Sequence, residues 1–103
     1  MIDSAIDYEN RNTRRIPISC KVKLKIPETR ETYYGVTKRL SIEDISFESE
    51  YVPRFGQLLE ITVAPPAGSN TQPLCALIQV YSCTQVEEGL VYEIGGAIRK
   101  VVQ

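Results

Sequence analysis

Residues 18–26 have the sequence Ile-Ser-Cys-Lys-Val-Lys-Leu-Lys-Ile, in which an apolar residue occupies every second position. Side chains alternate between the two faces of a β-strand, so this pattern predicts a strand with one buried face and one face covered by lysines. Pro17 precedes the segment and Pro27 follows it, and proline is tolerated at strand ends. The segment therefore predicts a half-buried strand between the two prolines.

Similar patterns, separated by turn residues, predict a chain built from short strands. In residues 74–83, apolar residues occupy both odd and even positions, which predicts a strand buried on both faces. No segment shows a helical period of 3.6 residues. We therefore predict an all-β fold, a six-stranded antiparallel β-barrel rather than a sandwich, since closing the sheet removes its exposed edges. The five further predicted strands are residues 33–40, 47–52, 57–64, 74–83 and 90–98.

Composition excludes several classes of function. The 103 residues include 12 Lys and Arg, 13 Asp and Glu, and no histidine, for a formal net charge of −1. Without histidine there is no Ser-His-Asp or Cys-His catalytic pair and no imidazole metal ligand, and a protein that is not basic overall is a poor candidate for binding DNA or RNA. We predict no enzymatic activity, no cofactor and no bound metal.

The three cysteines and the N-terminal residues predict the compartment. Cys20, Cys75 and Cys83 include no Cys-x-x-Cys pair, which favours reduced thiols acting as small apolar residues. The first residues lack a basic region followed by an apolar run, and no stretch approaches the ~20 apolar residues of a membrane helix. We expect a cytoplasmic protein without membrane insertion.

A cluster of arginines precedes the first predicted strand. Arg11, Arg14 and Arg15 lie within five residues, and like charges this close repel one another unless an anion or carboxylates lie among them. Acidic residues before the cluster can neutralise it, which would make it a solvated surface. A guanidinium can also bind a phosphate, or the O6/N7 edge of guanine, through two parallel hydrogen bonds.

A second polar group, residues 41–49, lies between the second and third predicted strands. Asp44 and Ser46 are residue types that often cap turns, so a purely structural role is one interpretation. The alternative is that Asp44 accepts N–H groups of a guanine base while Ser46 donates to a phosphate or orders the loop.

Taken together, these segments resemble the PilZ domain family. The first signature of that family, Arg-x-x-x-Arg in an N-terminal leader, is matched by Arg11 to Arg15. The second, Asp/Asn-x-Ser-x-x-Gly in a loop of the barrel, is matched at Asp44 and Ser46, and the final glycine is Ser49 here. Residues 92–98, Tyr-Glu-Ile-Gly-Gly-Ala-Ile, resemble the glycine-containing last strand of the family barrel.

The resemblance implies a single PilZ-like domain over residues 1–103, with a leader at 1–16 that is flexible when empty and a barrel at 17–103. It also implies a receptor for cyclic di-GMP that changes conformation on binding and signals to an unidentified effector protein. The ligand-binding residues that it implies are Arg11, Arg14, Arg15, Asp44, Ser46 and Ser49.

The serine at position 49 is a departure from the family pattern. If the family glycine adopts a left-handed backbone, serine there costs about 1–2 kcal/mol. Binding would then be weaker by roughly ten- to thirtyfold.

Two other hypotheses remain open. A PilZ-like barrel with weak or no nucleotide binding would act as a protein-interaction adaptor, for example in motility or pilus assembly. Alternatively, the stripe of Lys21, Lys23 and Lys25 with Tyr33 and Tyr34 would bind single-stranded nucleic acid by charge and stacking.

Overall fold

Six antiparallel strands form a closed barrel. The computed structural model describes residues 19–66, 68–87 and 91–102. The strands pair in the order β1-β2-β3-β6-β5-β4, and β4 returns to β1. The predicted all-β fold and six-stranded antiparallel barrel are thus confirmed. The strands are β1 (Lys21–Lys25), β2 (Thr32–Leu40), β3 (Asp44–Ser49), β4 (Leu58–Val63), β5 (Leu74–Glu87) and β6 (Val91–Val101).

The interior of the barrel is filled by the apolar residues that alternate along each strand. In β1, Val22 and Leu24 are buried while the three lysines that alternate with them are exposed or half-buried, as the pattern of residues 18–26 predicts. Phe47 of β3 is fully buried among aliphatic side chains from the other strands. Burying a side chain of this size contributes about 1.5–3 kcal/mol, so the inward face of each strand fixes its register.

Two of the predicted strands need correction. The third strand is Asp44–Ser49 rather than residues 47–52, because Ile45 and Phe47 both face the core and extend the alternation towards the N-terminus. The fifth strand continues to Glu87, and it is not buried on both faces: Tyr81 is 46% exposed and Cys83 is also exposed. The outer face of β5 is therefore exposed on the surface of the barrel.

Irregularities in two strand pairs change which side chains face outward. The β2–β3 register shifts between Thr37 and Arg39, and the β5–β6 register shifts between Val80 and Ser82. An extra residue in one strand reverses the alternation locally. Consequently Lys38 and Arg39 are consecutive exposed residues.

The three cysteines form no disulfide, as expected. Cys20 is buried and Cys75 is half-buried, but Cys83 is exposed and is not a core residue. Within the described ranges no helix is long and apolar enough to cross a membrane.

Candidate functional site

The two polar residues singled out after the second strand lie on a strand and not in a loop. Asp44 is the first residue of β3, and Ser46 follows two positions later on the same face. Because Ile45 and Phe47 point into the core, Asp44 and Ser46 point outward. The expectation that these two residues lie in a loop between strands is wrong, because both belong to β3, and the barrel wall holds them at a fixed spacing.

Strand pairing extends this position into a row of residues across four strands. Arg39 of β2 pairs with Ser46, Ser46 pairs with Gly95 of β6, and Gly95 pairs with Ser82 of β5. The two register shifts lie at the two ends of this row, beside Arg39 and Ser82. Bulges therefore flank the site on both sides, a position in which they commonly redirect side chains.

A surface cavity of about 160 Å³ lies over this row. A cavity needs only about 10–15 Å³ to hold one water, so this one accommodates a considerably larger group. Its wall carries one guanidinium and two carboxylates, which gives it a slight excess of negative charge. The lining residues are Arg39, Asp44, Ile45, Ser46, Tyr81, Ser82, Glu93 and Gly95.

Two neutral hydroxyl groups hold the Asp44 carboxylate. The Ser41 hydroxyl donates to Asp44 Oδ1 at 3.0 Å, and the Tyr81 hydroxyl donates to Oδ2 at 3.1 Å. The Asp44 backbone N–H donates to Ser41 Oγ at 3.1 Å, which closes the turn between β2 and β3. The side chain that caps this turn is therefore Ser41, which accepts the backbone N–H groups of Glu43 and Asp44, and the Asp44 carboxylate borders the cavity instead.

Ser46 contributes a buried hydroxyl to the floor of the cavity. Its Oγ atom is buried, and none of the described residues hydrogen-bonds to it. Leaving a buried polar group without a partner costs about 1–3 kcal/mol. A ligand atom that accepts from Ser46 would recover this energy.

Ser49 lies apart from Asp44 and Ser46. Ser49 is three positions after Ser46, an odd number, so its side chain lies on the opposite, inner face of β3, where it is 5% exposed. Its hydroxyl donates to the Tyr34 carbonyl at 2.8 Å and accepts from the Tyr51 N–H at 3.2 Å. Ser49 does not line the cavity that Asp44 and Ser46 share.

The backbone at Ser49 is also ordinary. Among the described residues other than glycine, only Arg30 has a positive φ. The expected strain of a serine in a left-handed conformation is therefore absent, and the weaker binding inferred from that strain has no basis in this geometry. Ser49 occupies an extended position in β3 that any residue can adopt.

The arginines of the first motif, Arg11, Arg14 and Arg15, lie outside the described residues. Their role in ligand binding stays a prediction, as does the boundary between a leader at 1–16 and a barrel at 17–103.

The alternative site on the lysine stripe is not assembled as expected. Tyr33 pairs with the inward-facing Leu24 and stacks on Tyr51, with ring centroids 4.5 Å apart. Tyr34, in contrast, is 67% exposed and pairs with Lys23 on the outer face. The lysines thus share their face with one of the two predicted tyrosines, which removes half of the proposed stacking surface.

Four polar residues of the cavity were not predicted from the sequence: Arg39, Tyr81, Ser82 and Glu93. Arg39 and Tyr81 lie at the register shifts, where the alternation that predicts facing direction no longer applies. The signal in the sequence is Gly95-Gly96, because glycines inside a strand indicate a bulge or a close backbone approach. Gly95 indeed pairs across the irregular part of β5.

Comparisons with known proteins support the fold and leave the family open. No protein-family model matches the sequence, and no curated protein matches it. Among solved structures, the chain is similar to the inhibitor of motility MotI/DgrA of Bacillus subtilis, with a TM-score of 0.74 and 11% sequence identity. The match covers 91% of this chain and 44% of that chain, so this protein spans less than half the length of its structural neighbour. That neighbour is named for a regulatory role, and at this level of identity the likeness shows a shared barrel fold.

Proposed function

We propose that this protein is a non-enzymatic receptor of PilZ type, which binds cyclic di-GMP, changes conformation and signals to a partner protein. The observation that carries the proposal is the outer cavity of the barrel, where Asp44, Ser46 and Arg39 converge. Asp44 and Ser46 are two of the three residues that the second PilZ-like motif assigns to the ligand, the third being Ser49.

The charge of the cavity favours a guanine base over a phosphate. Of the residues that the structure describes, two carboxylates, Asp44 and Glu93, border it with one guanidinium, Arg39. Carboxylate oxygens repel phosphate but accept the N–H groups of a guanine edge. The two phosphates of cyclic di-GMP would be bound by other cations, and Arg11 and Arg15 are the ones that the sequence motif provides.

The segment that joins Arg15 to the barrel is long enough for Arg15 to reach a phosphate of a ligand whose guanine lies in the cavity. The backbone of Cys20 hydrogen-bonds to Thr37 of β2, which in turn pairs with Phe47 of β3. Neighbouring strands lie about 4.8 Å apart, so about 10 Å separates Cys20 from β3. Arg15 is four residues before Ser19, and four residues span up to about 14 Å. This length suffices for Arg15 to reach a ligand seated on β3.

Isothermal titration calorimetry with cyclic di-GMP, beside cyclic di-AMP and GMP, tests the proposal. We expect binding of cyclic di-GMP in the low-micromolar range or tighter, and a loss of at least tenfold for Arg15→Ala and for Asp44→Ala. Asp44→Asn keeps the size of the side chain and should also weaken binding, because it replaces one acceptor oxygen by a donor. Arg54→Ala removes an exposed arginine outside the cavity and should bind normally.

Absence of heat, together with absence of a thermal shift at excess cyclic di-GMP, would refute the receptor function. Equal weakening by Arg54→Ala and Arg15→Ala would instead indicate a general charge effect.

The second candidate is a PilZ-like adaptor for protein interactions that binds nucleotides weakly or not at all. The fold likeness to an inhibitor of motility favours it. It predicts that wild type and Asp44→Asn alter the motility of producing cells equally. A receptor predicts that Asp44→Asn loses the effect.

A further inference from the structure

The Tyr81 ring crosses a neighbouring strand to reach the proposed ligand site. Its hydroxyl donates to Asp44 Oδ2 at 3.1 Å, although Tyr81 lies on β5, Asp44 lies on β3, and β6 separates the two strands. The ring passes over the backbone of Gly95 on β6. A Cβ atom at Gly95 would lie 3.2 Å from Tyr81 Cε1 and 3.4 Å from Cζ, so a side chain at this position would press on the ring.

The bulge in β5 is what directs Tyr81 to this place. Val80 is buried and pairs with Gly96, Ser82 pairs with Gly95, and Tyr81 is the extra residue between these two pairs. Tyr81 and Ser82 are consequently both exposed, and both line the cavity. Bulge, glycine and tyrosine thus form one local arrangement whose polar end is the Asp44 carboxylate.

The hydroxyls of Ser41 and Tyr81 occupy part of the hydrogen-bonding capacity of the Asp44 carboxylate and leave the rest for a ligand. An ionised carboxylate has about four lone-pair positions, two on each oxygen. Ser41 uses one position on Oδ1 and Tyr81 uses one on Oδ2. With the described residues counted, one position remains on each oxygen, and the two donors on opposite oxygens fix the plane in which these positions lie.

We propose that Tyr81 is a positioning residue that makes the cavity select guanine over adenine; this inference rests on the proposed function. The guanine edge presents N1–H and N2–H side by side, which matches one free acceptor position on each carboxylate oxygen. Adenine presents an acceptor at N1, which would face a carboxylate lone pair. A site built to accept hydrogen bonds rejects an analogue that lacks the donors most strongly when its acceptors are held rigidly.

Titration of the full chain with cyclic di-GMP and cyclic di-AMP tests this inference through the ratio of the two affinities. For Tyr81→Phe, which removes the hydroxyl and keeps the ring, we expect cyclic di-GMP binding to weaken about fivefold or more and cyclic di-AMP binding to stay unchanged. Tyr34→Phe is the matched control, because Tyr34 is an exposed tyrosine outside the cavity. It should leave both affinities and their ratio unchanged.

The outcomes separate this inference from the proposed function. If wild type binds cyclic di-GMP and Tyr81→Phe keeps the same ratio, the inference is refuted while the receptor function stands. If Tyr81→Phe binds normally and Tyr81→Ala weakens both nucleotides equally, the ring acts as a stacking surface and the positioning role is refuted. If wild type binds neither nucleotide, the proposed function is refuted, and the inference with it.

Discussion

Adjacent glycines in β6 allow the core and the proposed site to be perturbed one at a time. Gly95 faces the outer cavity, whereas Gly96 faces Ile78, which is fully buried in the core. Replacing each by alanine adds the same methyl group to opposite sides of the barrel wall. The two variants are therefore matched in chemistry and in position along the chain.

For Gly96→Ala, the new Cβ would lie 2.7 Å from Ile78 Cδ1 and 3.3 Å from Ile78 Cβ. The Cδ1 atom can rotate away, but Cβ is fixed by the backbone, so the strand has to shift. Overpacking of this kind costs about 1–3 kcal/mol, of which the reduced backbone freedom of alanine in the unfolded chain offsets about 0.4–1. A net loss of about 1–2 kcal/mol lowers the Tm by roughly 5–15 °C in a domain of this size.

For Gly95→Ala, the new Cβ would lie 2.5 Å from Ser82 Oγ, which can rotate, and 3.2 Å from the Tyr81 ring. The strain and the gain from the unfolded chain are similar in size, so we expect the free energy of unfolding to change by less than about 1 kcal/mol. The methyl group would however fill the cavity floor and displace Tyr81 from Asp44, which should weaken cyclic di-GMP binding about tenfold, equivalent to about 1.4 kcal/mol.

Thermal unfolding and calorimetric titration of both variants check this reasoning. The expected pattern is a low Tm with near-normal affinity for Gly96→Ala, and a near-normal Tm with low affinity for Gly95→Ala. Equal destabilisation by the two variants would refute the assignment of the two glycines to opposite faces. Normal binding by Gly95→Ala would refute the placement of the ligand over Gly95.

Three further predictions concern single side chains. Ser49→Ala removes the hydroxyl that donates to the Tyr34 carbonyl and should lower the free energy of unfolding by about 1–2 kcal/mol in denaturant titrations, with nucleotide affinity unchanged. Burial, and then the nearby Glu31 carboxylate, raise the pKa of Tyr33 above its ordinary value of about 10. The folded state therefore holds the Tyr33 phenol proton more tightly than the unfolded chain does. The resulting contribution to the free energy of unfolding is complete below about pH 10 and is lost as the pH rises through the raised pKa of Tyr33. Glu31→Gln should lower the midpoint of the Tyr33 phenolate absorbance titration. Burial also raises the pKa of the Cys83 thiol, so its alkylation by iodoacetamide at about pH 8 should be slower than that of a free cysteine, despite its exposure.

The barrel could be predicted because alternating burial leaves a direct trace in the sequence. Residues 18–26 show the trace clearly, since their outward positions are lysines. In β3 the same alternation is present, with Ile45 and Phe47 inward, but the outward positions hold Asp44 and Ser46. Aspartate and serine are more common in turns than in strands, and this preference concealed the start of the strand.

The composition of the site could be predicted only in part, because two of its walls depend on bulges. A bulge has no sequence signature of its own in β2 or β5, and it reverses the facing direction of the residues beside it. Arg39 and Tyr81 therefore could not be assigned to the same face as Asp44 from spacing alone. The pairing register of the folded barrel is the information that brings them together.

The position of Ser49 bears on how a titration should be interpreted. Asp44 and Ser46 share a face of β3, but Ser49 lies on the other, so the departure from the family glycine affects the interior of the barrel. There Ser49 pairs with Gly35 of β2. A Cβ atom added at Gly35 would lie 3.1 Å from Ser49 Cβ and would clash with the Glu48 carbonyl oxygen. If the ligand lies over Asp44 and Ser46 as proposed, any cost or benefit of serine at this position falls on the pairing of β2 with β3. A failure to bind cyclic di-GMP at that place would then count against the receptor function rather than reflect the serine at position 49.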